Sequence, residues 1–247
     1  MGKSPPRQLC GAVVGNVRKE PKMKVEEYLK TNHYLKSKEI ILNDLNTALS
    51  NLKSDDPKIR KKGEKRLSSN ARRELGWNCI TVREWFLDDS NKTKIYKVIQ
   101  DEKADKLLAG YLLTLSFFYE RYIDHDMWDE IYEKQVEVTY KKWIKSITDL
   151  YSDYKSSLVK KEIAYLLAII GDNKAWDIFN ELIKRKNSIS GWVFFACSRY
   201  AEKSINQKQL KELIITFDSI IKKTNNPKVK REVNKAKDAC LKIEKNK

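Results

Sequence analysis

Apolar residues recur at helical spacing through most of the chain. Ile41, Leu45, Ala48 and Leu52 follow one another at intervals of four, three and four, which sets them on one stripe of a helix. Ala104, Leu108, Tyr111, Leu115 and Phe118 form a second stripe. The spacing predicts a long helix over 126–151, with Ile131, Val138, Trp143, Ile147 and Leu150 among its buried residues. From Ile163 to Ile170 the chain is apolar nearly all round, so a helix over 158–170 is expected to lie between neighbours on several sides. A helix over 174–184 turns Ala175, Ile178, Phe179 and Leu182 inward, and 192–201 is again broadly apolar. Two further stripes close the chain: Leu210, Leu213, Phe217 and Ile220, then Val229, Val233, Ala236, Cys240 and Ile243. No segment alternates apolar and polar positions as a half-buried strand would. The pattern predicts an all-α protein.

The joints between these helices repeat. In "LAIIGDNKAW" (167–176), Gly171 can close one helix in the left-handed region while Asp172 or Asn173 caps the next. "SDDPKIRKKGEKRL" (54–67) and "TNNPKVKREVNKAKDACL" (224–241) share a polar pair, a proline and then a basic helix. Asp56 or Asn226 is placed to cap, and Pro57 or Pro227 suits the first helical position, where the missing N–H is no loss. The unit 158–183 is followed about 32 residues later by 190–214, so that Ala164 and Ala196 hold equivalent small positions where helices can approach closely. Residues 1–22 carry no helical period and contain Pro5, Pro6 and Pro21; a flexible leader is expected there, with the repeat domain over 23–247.

These motifs resemble HEAT-type helical repeats, whose pattern is D-x-P-x-V-R followed by an apolar helix, and an apolar helix ending in I-G-D before a second amphipathic one. The resemblance covers 158–241 best and extends to 54–67. It implies a right-handed α-α superhelix, a HEAT-like solenoid in which each helix pair buries its apolar face on the next and a concave surface is left for a partner.

Charge sharpens the picture. The net charge is +16, unevenly spread. Residues 53–73 hold nine basic and three acidic residues, 221–247 ten and three, whereas 101–138 holds four basic and ten acidic. A basic excess favours phosphate-bearing or other anionic partners. Lys58, Arg60, Lys61, Lys160, Lys161, Lys228, Lys230 and Arg231 occupy equivalent starts of the inner helices and are the candidate macromolecule-binding rows. Asp126, Glu130, Glu133 and Glu137 lie at helical spacing and make a candidate acidic patch toward a basic protein. No apolar run approaches the ~20 residues of a membrane span, and Gly11–Gly15 is too short for the apolar part of a signal peptide. A cytoplasmic protein with no membrane partner is expected.

Catalytic signatures are thin. The chain has two histidines, His33 in a polar stretch and His125 among carboxylates, and no phosphate-binding loop, HExxH or nucleophile elbow. Cys10, Cys79, Cys197 and Cys240 stand far apart, with no CxxC pair, and the latter two fall on apolar helical faces as buried thiols. No catalytic residue, metal or cofactor is expected. "SGWVFFACSRYAEKS" (190–204) is locally similar to a segment of the alkylpurine DNA glycosylases built from HEAT-like repeats. That similarity implies a lesion-contacting role for Trp192 and a phosphate contact for Lys160 or Lys161. The family's essential aspartate lies four residues after a tryptophan; "MWDEIY" has Tyr132 there, so Asp129 or Glu133 would have to act from another helical angle. Trp192 on a broadly apolar helix reads more readily as core than as a base-stacking platform. The leading expectation is a non-enzymatic scaffold that grips a protein partner on its concave face, as a toxin-neutralising immunity-type protein would. The alternative is a nucleic-acid-binding repeat protein, with a glycosylase-like enzyme as its catalytic form.

Overall fold

Thr31 opens the first helix by accepting the Tyr34 N–H on its hydroxyl, and α1 then runs Asn32–Leu52. The computed structural model describes residues 27, 29–73, 79–123, 134–151, 154–184, 191–203 and 206–246; the leader expected over 1–22 lies outside these, as do the side chains of 134, 135, 183, 184, 191–195 and 246. After α1 come α2 (Pro57–Ala71), α3 (Cys79–Leu87), α4 (Asp89–Asp101), α5 (Asp105–Tyr122) and α6 (Lys134–Asp149). Then follow α7 (Ser157–Ile170), α8 (Lys174–Lys184), α9 (Gly191–Lys203), α10 (Gln207–Lys223) and α11 (Pro227–Asn246). Every regular element among the described residues is a helix, so the fold is all-α. No helix among them is long and apolar enough to cross a membrane.

The joints follow from local chemistry. Asp56 caps α2 through its carboxylate and the Lys58 N–H, 2.7 Å apart, with Pro57 at the first turn. Asn226 accepts from the N–H groups of both Lys228 and Val229 ahead of α11. Gly171 ends α7 at φ 80°, the left-handed region that a side chain makes costly. The Asp172 N–H reaches back to the Leu167 carbonyl at 2.8 Å and the Gly171 N–H to Ala168, which closes the helix end. Asp172 then caps α8 through the Lys174 N–H.

The helices form two rows. α2 packs on α5, α5 on α7, α7 on α9, and α9 on α11. Over this inner row lie α1 on α2, α6 and α8 on α7, and α10 on α11, while α3 and α4 pack against α1. The core is continuous along it: Leu108, Leu112, Phe118, Ala164, Leu166, Ala168, Ala196 and Cys197 are all fully enclosed. Ala164 and Ala196 are the small residues expected where α7 and α9 meet, and both are fully buried. Between α1 and α2 the contact is closer still. A Cβ on Gly63 would sit 2.7 Å from the Ala48 carbonyl oxygen, so glycine is what permits the approach.

Two expectations about the middle of the chain are corrected. Of the expected inward residues, Ile147 is buried and Trp143 half-buried, but Val138 in α6 is 44% exposed and Leu150, just past its end, 39%; Tyr140 and Ile144 complete the buried face instead. The cause is aromatic packing. Tyr140 lies 5.3 Å from Phe118 and 5.1 Å from Trp143, ring centre to ring centre, and these contacts rotate the helix away from the simple apolar count. The start expected at 126, with Ile131, lies outside the described residues. Ala104 is not part of the α5 stripe either: it is exposed at the N-cap, and the Glu102 carboxylate takes its N–H.

Candidate anion-binding edge

Cross-ties between inner helices reveal their direction. Near the start of α2, Arg60 bonds Glu102, just before the start of α5, while at the far ends Tyr122 donates to the Asn70 carbonyl. Tyr154, just before α7, donates to Asp105 at the start of α5, and Tyr165 in α7 reaches Glu120 near the α5 end. Tyr200 of α9 donates to Asn173 just past the end of α7. These pairings join start to start and end to end, so α2, α5, α7 and α9 run parallel. α10 and α11 form a hairpin tied by Lys237 and Asp218, and α11 packs beside α9 with Cys240 level with Cys197 and Glu202. α11 therefore runs in the same sense as α9.

Five helix N-termini thus share one edge; a helix N-terminus carries a partial positive charge of roughly half a unit, which the Asp56 and Glu102 carboxylates partly offset at α2 and α5. Lys58, Lys103, Lys106, Lys155, Lys228 and Lys230 stand along that edge, exposed and with no ion pair to a described residue. Dipoles and ammonium groups add, since both favour an anion outside the edge.

The basic rows read from sequence all fall at the starts of α2, α7 and α11, yet their members differ in use. Lys58, Lys228 and Lys230 are exposed and uncommitted. Lys61 is exposed but lies 2.5 Å from Glu64. Arg231 pairs with its neighbour Glu232 in the open. Lys160 bonds both oxygens of Glu181 at 2.9 and 2.8 Å, pinning α7 to α8, and Lys161 pairs with the buried Glu162. Arg60 is fully engaged. Its Nε and Nη2 hold Glu102 at 3.0 and 3.4 Å, and its Nη1 donates to the carbonyls of Ser54 and Asp55. Glu102 is itself 7% exposed and also accepts from the Ala104 N–H and the Tyr111 hydroxyl. Burial, reinforced by the Glu102 charge and hydrogen bond, raises the Tyr111 pKa well above that of a free phenol, so this hydroxyl is a standing donor.

A second tie, unforeseen from sequence, lies near the opposite ends of the inner helices. Arg199 in α9 donates to Glu120 of α5 at 2.9 Å and to Glu202 at 2.7 Å, while Tyr165 of α7 donates to Glu120 at 2.5 Å. One carboxylate therefore joins three helices. Burial alone would lower the Arg199 pKa; the two glutamates outweigh it and raise it.

Of the acidic patch, Asp126, Glu130 and Glu133 lie outside the described residues, as does Asp129. Glu137 is described: it bonds Lys141 at 2.7 Å and accepts from Tyr119. Burial would raise its pKa, but Lys141, Tyr119 and Lys203 together lower it. Trp192 belongs to α9, and its side chain is outside the described residues. His33 is exposed in the first turn of α1. Cys79, Cys197 and Cys240 are buried thiols, and burial pushes the Cys240 thiol up to about 12, so it stays protonated and inert. Among the described residues, no group of three or more histidine, cysteine, aspartate or glutamate side chains could hold a metal ion. No family model, curated protein or solved structure matches the chain.

Proposed function

We propose that this chain is a right-handed helical-repeat solenoid that binds a polyanion, nucleic acid in the first place, along the edge formed by its inner-helix N-termini. The observation that carries the reading is the parallel inner row, which supports gathering Lys58, Lys103, Lys106, Lys155, Lys228 and Lys230 beside five positive helix ends. Binding here needs no catalytic group. Phosphates would be engaged by exposed ammonium groups and backbone dipoles, with affinity drawn from counterion release and little dependence on base sequence.

One observation favours a protein partner instead, for instance a toxin held by an immunity-type protein. Lys160 and Lys161, midway along the edge, are taken up by Glu181 and Glu162, which breaks the run of free charge. A mixed-charge surface suits a protein interface better than a uniform phosphate track.

Fluorescence anisotropy of a labelled DNA duplex across a salt series separates the two. The expected result is binding whose log affinity falls linearly with log salt, with the slope reduced by about 0.9 for each phosphate contact removed. Charge reversal in Lys228→Glu/Lys230→Glu should weaken binding at least tenfold and flatten the slope. Absence of binding at low salt, or indifference to the reversal, would overturn the polyanion reading and turn the search to a protein partner.

A further inference from the structure

Beside this edge, and sharing Lys103 with it, lies a cleft whose other lysines the polyanion reading does not use. It has a volume of about 760 Å³ and opens between the α1–α2 turn, α4 and the linker leading into α5. That volume falls within the usual ~300–1,000 Å³ of small-molecule sites. Leu52 and Val98, 3% and 9% exposed, form an apolar floor beside the exposed Ala104, and Lys53, Lys94, Lys97 and Lys103 surround it. All four lysines are exposed, and none pairs with a described carboxylate. Asp55 and Asp101 are the carboxylates left free in the lining, because Glu102 is consumed by Arg60, Ala104 and Tyr111. The cleft is therefore electropositive, with four ammonium groups facing two free carboxylates.

Its base is fixed in place. Arg60 ties the carbonyls of Ser54 and Asp55 to Glu102, and Glu102 ties the linker through the Ala104 N–H, so the two loops bearing Lys53 and Lys103 are held against each other. On the third side, Lys94 and Lys97 stand one turn apart on α4, an arrangement of like charges that costs stability in the empty state. A bound anion relieves that repulsion, and a chain of two or more phosphates matches the charge better than a single one does. The apolar lining beside the lysines offers a surface for a flat ring, and the two carboxylates can accept hydrogen bonds from sugar hydroxyls.

We propose that this cleft binds a nucleoside polyphosphate, its phosphates among Lys53, Lys94, Lys97 and Lys103 and its base against Leu52 and Val98. The site shares Lys103 with the edge but lies apart from Lys228 and Lys230, so the Lys94 and Lys97 variant tests the cleft alone and the Lys228 and Lys230 variant tests the edge alone.

Isothermal titration calorimetry with ADP, pyrophosphate and adenosine as probes tests it. ADP should bind saturably, pyrophosphate more weakly for lack of the apolar contact, and adenosine not measurably. Lys94→Ala/Lys97→Ala should weaken ADP at least tenfold, Lys53→Ala/Lys103→Ala similarly, and Lys228→Ala/Lys230→Ala not at all. All six positions are exposed, so the three double variants should melt with the parent, and a melting check confirms that any loss is one of binding. The proposal is overturned if neither ADP nor pyrophosphate binds, if adenosine binds as well as ADP, or if ADP affinity survives both cleft variants.

Discussion

Glu102 and Arg60 hold each other 3.0 Å apart across 42 residues of sequence, and the same carboxylate closes the turn into α5. Removing the acid strands one charge and two neutral donors. In Glu102→Ala, the Arg60 guanidinium, the Ala104 N–H and the Tyr111 hydroxyl all lose an acceptor, and a cost of about 3 kcal/mol is expected. Arg60→Met should cost at least as much, about 3–4 kcal/mol, because it leaves the buried Glu102 carboxylate with only the Ala104 N–H and the Tyr111 hydroxyl, whereas the Arg60 left by the first variant is reached by water. Urea unfolding checks this: the midpoint should fall in both variants while the slope stays the same.

Tyr140 offers the opposite case. Its hydroxyl is buried and has no hydrogen-bond partner among the described residues, whereas the Tyr165 hydroxyl donates to Glu120. Tyr140→Phe removes a desolvated polar atom and should leave stability unchanged or raise it by about 1 kcal/mol. Tyr165→Phe takes a donor from a charged acceptor and should lower it by about 1.5–3 kcal/mol. Thermal melts of the two variants should shift in opposite directions, or only the second should move.

Alkali should unfold the protein through its tyrosines. Burial raises the pKa of Tyr111, Tyr122, Tyr140, Tyr165 and Tyr200, and takes Tyr151 to about 12. Each raised group contributes stability that is complete below its unfolded value of 10.0 and is lost as pH climbs toward the native one. Stability should therefore hold up to about pH 10 and then drop steeply, the losses adding across several rings. Tyrosinate absorbance should rise together with the loss of helical circular dichroism rather than ahead of it. A tyrosinate signal that develops fully in a still-folded protein would contradict the assignment.

The two packed glycines should respond differently to a methyl group. At Gly63 the added carbon would meet the Ala48 carbonyl oxygen at 2.7 Å, and backbone cannot step aside cheaply. Gly63→Ala should cost a net ~1–2 kcal/mol, since overpacking outweighs the gain of about 1 kcal/mol in helix propensity. At Gly110 the close atoms all belong to the Glu64 side chain, whose far end can turn. Gly110→Ala should be tolerated within about 1 kcal/mol. Chemical denaturation of both variants side by side measures the difference.

Sequence reading succeeded where a few neighbouring residues decide the outcome. Asp56-Pro57, Asn226-Pro227 and Gly171-Asp172 act on the adjacent backbone, so the helix boundaries they set could be read directly. The basic starts of α2, α7 and α11 were equally visible. What each charge does was not, because the Arg60 and Glu102 pair spans 42 residues and the Arg199 and Glu120 pair spans 79. Only the parallel inner row brings such partners together. Part of the buried face of α6 was missed for the same reason, since Tyr140 is placed by Phe118 of another helix. The cleft had no sequence signal at all: Lys53, Lys94 and Lys103 come from three separate segments.

The succession α2, α5, α7, α9, α11 also determines how the molecule comes apart. Each inner helix rests chiefly on the one before and the one after, so no single central layer must break at once. The α10–α11 hairpin, supported by α9 alone in the inner row, can peel away while the α2–α5 end stays closed. Amide protons should accordingly exchange in a gradient, fastest in α11 and slowest in α5 and α7, whose side chains are enclosed on the most sides. A stack of this kind yields from one end, like a fastener drawn open, and a partner clasped across several helices would hold it shut.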